Sequence, residues 1–322
     1  MALAIGRVPY HSGMALSTSP VTVRVPATCA NLGPGFDSLG VALGLYDTVT
    51  ACVGGDGIRV TVSGEGAGEL PSDERHLIAA TMLATLYRIG ERPEGLELIC
   101  QNAIPQARGL GSSSAAVVAA ILLARHLAEN GAALLDEAEI IRLAAEIEGH
   151  PDNVAPCVLG GFTIAWTATR ADGGVGGAAR ALRMDDAKGV VPVIFVPVQL
   201  GYTARARAVL PATVPLADAS FNAARTALMI RALTGAPELL FEATEDRLHQ
   251  AYRAAAMPET LELVALLRKA GLAAVVSGAG PSVLVLAPDE HRQVNEAQDL
   301  CPDGWWAASL PVALEGATIK DE

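Results

Sequence analysis

Lysine is nearly absent from this 322-residue chain, which holds only Lys188, Lys269 and Lys320. If such a chain handles phosphate, it must do so mainly with backbone amides and arginine. No cluster of Lys and Arg interrupts the formal net charge of −12. Nucleic acid needs a basic stripe to meet its phosphates, so nucleic-acid binding is excluded. Aromatic residues make up only 4% of a chain that is 51% hydrophobic, so the core has to use small and branched aliphatics. The charged fraction, 18%, is that of a globular protein and not of a disordered one.

The five cysteines, Cys29, Cys52, Cys100, Cys157 and Cys301, form no C-x-x-C pair and no zinc-like spacing. An odd number of scattered thiols without a signal peptide points to a reducing cytoplasm. Residues 1–20 lack a long apolar core and read as a flexible leader. The longest apolar run, 115–124, is too short to cross a bilayer, so no membrane partner is expected.

Alternating apolar and polar residues over 21–25 predict an edge or early strand that stops at Pro26. Residues 41–64 read as two or three further strands, broken by a hairpin signal at Gly54-Gly55-Asp56-Gly57. Helical spacing covers 76–90, a short strand 96–101, a long Ala-rich helix 112–129 and another helix 137–148. A strand-like run at 158–166 leads into the Gly-rich stretch 172–177, a candidate domain boundary. Beyond it come a strand at 190–198, helices near 218–235, 237–249 and 259–270, and strands at 273–277, 283–287 and 306–310. Helices and strands do not alternate regularly, so two α+β domains, 21–168 and 169–322, fit better than one doubly wound sheet.

Three segments carry chemistry. The central one is P-Q-A-R-G-L-G-S-S-S-A, formed by Pro105, Gln106, Ala107, Arg108, Gly109, Leu110, Gly111, Ser112, Ser113, Ser114 and Ala115. It lies between a strand and a long apolar helix, where free N–H groups and a partial positive charge suit a phosphate. The hydroxyls add neutral donors, and one could ligate Mg²⁺. The chain contains no G-K-[ST], so this is not a Walker A loop, and it lacks the acidic partner of a dinucleotide site.

The second segment, P-A-T-C-A-N-L-G-P-G-F-D over 26–37, presents Asn31 and Asp37 from a glycine loop. Such a pair could hold an amino-alcohol, with its ammonium on Asp37. The third, S-G-A-G-P-S over 277–282, sits between apolar strands and offers Gly278 and Gly280 for close approach to a ligand. Taken singly, each could be an ordinary turn.

In this order the three resemble the motifs of the GHMP kinases, over residues 21–287. The resemblance implies the GHMP kinase fold: an N-terminal nucleotide-binding α/β domain plus a C-terminal ferredoxin-like α+β domain. It also implies ATP, with Pro105 to Ala115 cradling its phosphates. The segment E-I-E-G-H-P-D-N-V-A-P at 146–156, followed by G-G-F, is similar to that of the homoserine kinases. Asn153 stands where galactokinases and mevalonate kinases carry an aspartate base. The same likeness implies Arg207 and Arg253 on a carboxylate, with Arg205 a rival for Arg207, since the arginine fork matches carboxylate geometry. It implies Mg²⁺ on Ser113 and Glu148, with Glu146 the alternative.

The implied reaction passes the ATP γ-phosphoryl group to L-homoserine, a step of threonine synthesis. Asn31, Asp37, His150, Asn153, Arg207, Arg253, Gly278 and Gly280 would surround that substrate. Ser113, Glu148, Asn153 and Asp37 would serve catalysis. His150 could instead brace the loop, and either Asp37 or a γ-phosphate oxygen could take the proton. A homodimer is the expected assembly. A kinase for another small alcohol, such as mevalonate, and a non-catalytic ligand sensor are the alternatives.

Overall fold

Val23, Val25, Ala27 and Cys29 have no exposed surface and mark the core face of the first strand, β1 (Val21–Ala30). A computed structural model describes residues 16–170, 172–174, 176–184, 189–288 and 291–320; most of the expected leader and Lys188 lie outside them. The first sheet also contains β2 (Leu39–Val53), β3 (Gly57–Gly64), β4 (Gly95–Asn102), β5 (Phe162–Thr167) and β6 (Ala179–Arg183). A second sheet holds β7 (Val190–Pro197), β8 (Ala274–Val276), β9 (Val283–Pro288) and β10 (Trp305–Ser309). The strand β11 (Thr318–Lys320) then returns to the first sheet beside β1. The order there is β11-β1-β2-β4-β3, with β5 and β6 continuing from the other end of β2.

Several expectations give way to non-local pairing. The first strand does not stop at Pro26; its register shifts between Pro26 and Ala27, and a bulge is where a strand tolerates proline. Nor is 54–57 a hairpin. β4 lies between β2 and β3 and pairs with β3 in parallel, through the crossover helix α1 (Leu77–Arg88). Residues 179–183 and 318–320, which the sequence reading assigns to the second domain, hydrogen-bond to the first sheet.

Helix α2 (Ser112–Leu127) is buried on nearly every side, because it packs on β1 and is flanked by α1 and α4 (Glu137–Glu148). That burial explains its Ala-rich composition. Between them, α3 (Gly131–Leu134) is a single turn. Asp136 caps α4 by accepting the Glu139 N–H at 2.8 Å, and Gly149 ends it, which fixes Glu148 as its last residue. The run expected as strand 158–166 opens instead as α5 (Val154–Leu159) before turning into β5.

The second sheet runs β10-β7-β9-β8 with every neighbour antiparallel, the split β-α-β-β-α-β arrangement of a ferredoxin-like lobe. Its helices are α6 (Thr203–Ala208), α7 (Leu216–Leu233), α8 (Leu240–Ala243), α9 (Pro258–Lys269) and α10 (His291–Asp299). The helix expected over 237–249 ends at Ala243. Beyond it the Asp246 carboxylate accepts the N–H groups of Leu248, His249 and Gln250, which favours a loop over helix and leads the chain to Arg253.

Candidate active site

The three motif segments meet where β1 ends, between the two sheets. Gly278 N–H donates to Ala30 O at 3.1 Å, and Ser277 Oγ donates to Gly109 O at 2.6 Å. Gly109 and Gly111 both adopt left-handed backbone, and a Cβ on either would collide with its neighbours: Ser277 O and Gly280 O, or Thr28 Oγ1. Behind these glycines α2 begins with no side-chain cap, leaving its first N–H groups free for an anion.

A cavity of about 230 Å³ lies over that helix start. From the central loop, Ala107, Gly109, Gly111, Ser112, Ser113 and Ser114 line it. Pro105, Gln106, Arg108, Leu110 and Ala115 do not. Arg108 gives its guanidinium to Pro197 O and Val198 O, tying the loop to the end of β7. Leu110 and Ala115 are core residues.

Glu148 accepts hydrogen bonds from Ser113 Oγ at 2.7 Å and Ser114 Oγ at 2.6 Å. Glu146, two residues earlier and so on another face of the helix, is engaged by Arg142 at 2.9 Å and does not line the cavity. Ser113 and Glu148 thus bring hard oxygen donors together at the cavity wall, a chemistry that would suit Mg²⁺.

At the other end stand two arginines. Arg207 lines the cavity, whereas Arg205 lines a neighbouring groove. Arg207 grips Asp37 through two hydrogen bonds of 3.0 and 2.5 Å, and these hold its pKa above the ordinary value, against burial. Asp37 does not line the cavity, so the carboxylate expected to be free for an ammonium is clamped in this structure. Arg253 is 1% exposed and donates to Gly278 O at 2.8 Å, while its Nε has no partner among the described residues. Burial, then the nearby positive charge of Arg207, pushes its pKa down to about 10. The Phe36 ring lies 5.5 Å from the Arg207 guanidinium and 5.9 Å from that of Arg253.

The remaining expected residues divide between lining and bracing. Asn31 lines the cavity but spends its amide holding loops: Nδ2 donates to Gly278 O, and Oδ1 accepts from Asp37 N–H. Gly278 lines the cavity; Gly280 lies behind it, against Met257. His150 bonds Asp152 at 2.7 Å. Burial opposes its charge, yet the Asp152 hydrogen bond and charge outweigh that and raise its pKa. Asn153 lines the cavity, with Oδ1 accepting from Thr28 Oγ1 at 2.8 Å.

Sequence reasoning did not assign Thr28, Asp152, Tyr202 or Thr203, although all but Thr28 line the cavity. Thr28 and Asp152 stood inside motifs already singled out, so their proximity to Asn153 was the available signal. Tyr202 and Thr203 open a short helix with no sequence mark of its own.

Known proteins resemble this chain along most of its length. Residues 76–161 match the model of the GHMP kinases N terminal domain, and 224–303 that of the GHMP kinases C terminal. Among curated proteins, the homoserine kinase of Streptomyces avermitilis is 51% identical over 308 residues, 96% of this chain and 98% of its own. That of Clavibacter michiganensis is 50% identical over 304 residues, 93% of this chain and 94% of its own. A Listeria monocytogenes structure, provisionally described as a homoserine kinase, superposes with a TM-score of 0.72 at 34% identity, covering 94% of this chain and 99% of its own. The L. major mevalonate kinase shares the fold alone, at 14% identity and a TM-score of 0.66 over 94% of this chain and 98% of its own. The chain belongs to the homoserine kinase family of the GHMP kinases.

Proposed function

We propose that this chain transfers the γ-phosphoryl group of ATP to the side-chain hydroxyl of L-homoserine, giving O-phospho-L-homoserine. The observation that carries the reading is Arg253: a buried guanidinium with an unpartnered Nε, facing the same cavity as the uncapped start of α2. A buried guanidinium that makes no direct ion pair among the described residues calls for an anionic ligand group. The helix start calls for phosphate. A small substrate that bears a carboxylate and lies in line with a nucleotide satisfies both.

Phosphoryl transfer asks the protein mainly for positioning and charge neutralisation. The amides of Ser112–Ser114 hold the phosphates. Mg²⁺, when bound, neutralises charge on the transferring group, and Ser113 and Glu148 would hold it. Arg253 and Arg207 hold the substrate carboxylate, and Asp37 its ammonium. Asn153 cannot take a proton, Asp37 is taken up by the ammonium and Asp152 is tied to His150, so a γ-phosphoryl oxygen accepts the hydroxyl proton. We assign nucleotide binding to the domain built on residues 21–168 and the carboxylate-reading arginines to the domain that follows.

The test is coupled ADP release with homoserine, mevalonate, shikimate and galactose in parallel. Homoserine should be turned over at least a hundredfold more efficiently than the others. Mevalonate carries a carboxylate but no ammonium, so equal turnover of mevalonate would replace this reading with that of a broader hydroxy-acid kinase.

A further inference from the structure

We infer that Thr28 is a positioning residue that fixes which edge of the Asn153 amide faces the reacting oxygen; the inference rests on the proposed phosphoryl transfer. Thr28 lies near the end of β1 with no exposed surface, and its N–H donates to Leu110 O at 3.0 Å. Its hydroxyl sits under the backbone of Gly111, where a Cβ would strike Thr28 Oγ1 and press against Asn153 Oδ1 at 3.2 Å. That hydroxyl has one hydrogen bond among the described residues, to Asn153 Oδ1.

An asparagine amide has an acceptor edge and a donor edge, and a half-turn about its last torsion exchanges them. At Asn153 the backbone is held independently, because its N–H donates to Asp152 Oδ1 at 3.0 Å. Only the side-chain torsion remains to be decided. Thr28 decides it: its hydroxyl could accept from Nδ2 after a half-turn, but the buried hydroxyl proton would then lose Oδ1, its one acceptor among the described residues. Oδ1 therefore stays engaged behind the loop, and the Nδ2 edge is left to the cavity that Asn153 lines.

An oxygen undergoing phosphorylation shares charge with the phosphoryl group, and N–H donors aimed there stabilise the transition state. A carbonyl oxygen in the same place would repel both. Asn153 therefore acts as a fixed donor and never as a proton acceptor. The hydroxyl of Thr28 makes that orientation the resting one, so the donor is in place before substrate arrives. Since the neutral substrate hydroxyl can donate to Oδ1 or accept from Nδ2, homoserine binding should be nearly indifferent to the flip, and turnover should not be.

The experiment compares Thr28→Val, Thr28→Ser and Asn153→Ala, and the Thr28→Val/Asn153→Ala double variant, in steady-state ADP release with melting temperature as a check. Thr28→Val should lower kcat by about tenfold or more while KM for ATP and homoserine stays within about twofold. Thr28→Ser should restore most of kcat, because it restores the hydroxyl. On the Asn153→Ala background, Thr28→Val should cost nothing further. If Thr28→Val proves unstable, Thr28→Ala replaces it with the same expectations.

Two results would overturn the inference: kcat kept by Thr28→Val but lost by Asn153→Ala, or equal losses from Thr28→Val on both backgrounds. Failure of the proposed function looks different, since wild type would then release no ADP with homoserine. The four proteins would in that case be compared on the acceptor that wild type does phosphorylate.

Discussion

Asp37 and Arg207 are joined by two hydrogen bonds, 3.0 and 2.5 Å long, across the two lobes at the edge of the cavity. Each is the residue expected to meet one end of a zwitterion. A substrate with both an ammonium and a carboxylate can open this pair and return a partner to each member. A molecule with only one of the two strands a charge. Asp37→Asn should therefore lower kcat/KM for homoserine while narrowing its lead over 4-hydroxybutyrate, which lacks the ammonium. Competition kinetics with the two acceptors would check this, and an unchanged ratio would separate Asp37 from substrate reading.

Arg253 pairs with no carboxylate among the described residues; Gly278 O takes one of its N–H groups, and Nε is left for a ligand. Arg253→Ala should raise KM for homoserine about 30-fold or more, the equivalent of roughly 2 kcal/mol for a lost charge-assisted contact. KM for ATP should stay within about twofold. Arg253→Lys should recover only part, because an ammonium cannot reproduce the fork. A parallel rise in both KM values would make the residue a brace for the loop at Gly278.

Glu148 is held by two serines, and their removal should differ in kind. Ser113→Ala should lower kcat and raise the Mg²⁺ concentration needed for half activity, by about tenfold each, with little change in melting temperature. Glu148→Gln should do more, because it removes the negative charge as well as a ligand. Activity titrated against Mg²⁺ distinguishes these effects from a folding defect, and an unmoved midpoint in both variants would take the metal away from this pair.

The two histidines near the site should give stability slopes of opposite sign. Asp152 outweighs burial at His150 and raises its pKa, so its contribution is whole below the ordinary value of 6.5 and fades as pH climbs through the raised one. His249 is shifted down, by burial and then by the charge of Arg253 against the pull of Asp246. Below pH 6.5 the unfolded chain takes up a proton that folded His249 refuses, so acidification costs stability. Urea unfolding between about pH 5 and 8 should show His150→Gln losing most at the acid end. His249→Gln should flatten the acid-side decline.

Much of the site was legible because its geometry is local. The glycines at 109 and 111, the serines after them and the cap residues Asp136 and Gly149 each announce a backbone conformation within a few positions. What stayed hidden was partnership over long separations. Asn31 reads as a ligand-binding amide until Gly278, from the far lobe, is seen to take its donor. Arg108 reads as a phosphate contact until the carbonyls that end β7 claim it. The parallel pairing of β3 with β4 is hidden for the same reason, since Gly54 to Gly57 permits a hairpin but cannot compel one. Fold class survived these errors, because it depends on which elements exist more than on which neighbours they choose.

The return of β11 to the flank of β1 also has a bearing on how the chain is made. Until residues 318–320 leave the ribosome, β1 offers an unpaired edge, although every other strand of its sheet has already been synthesised. The second lobe must emerge, and can fold, while that edge waits. Chains cut short before β11 should accordingly be the ones that chaperones hold and that self-associate, whereas released chains that include it should not.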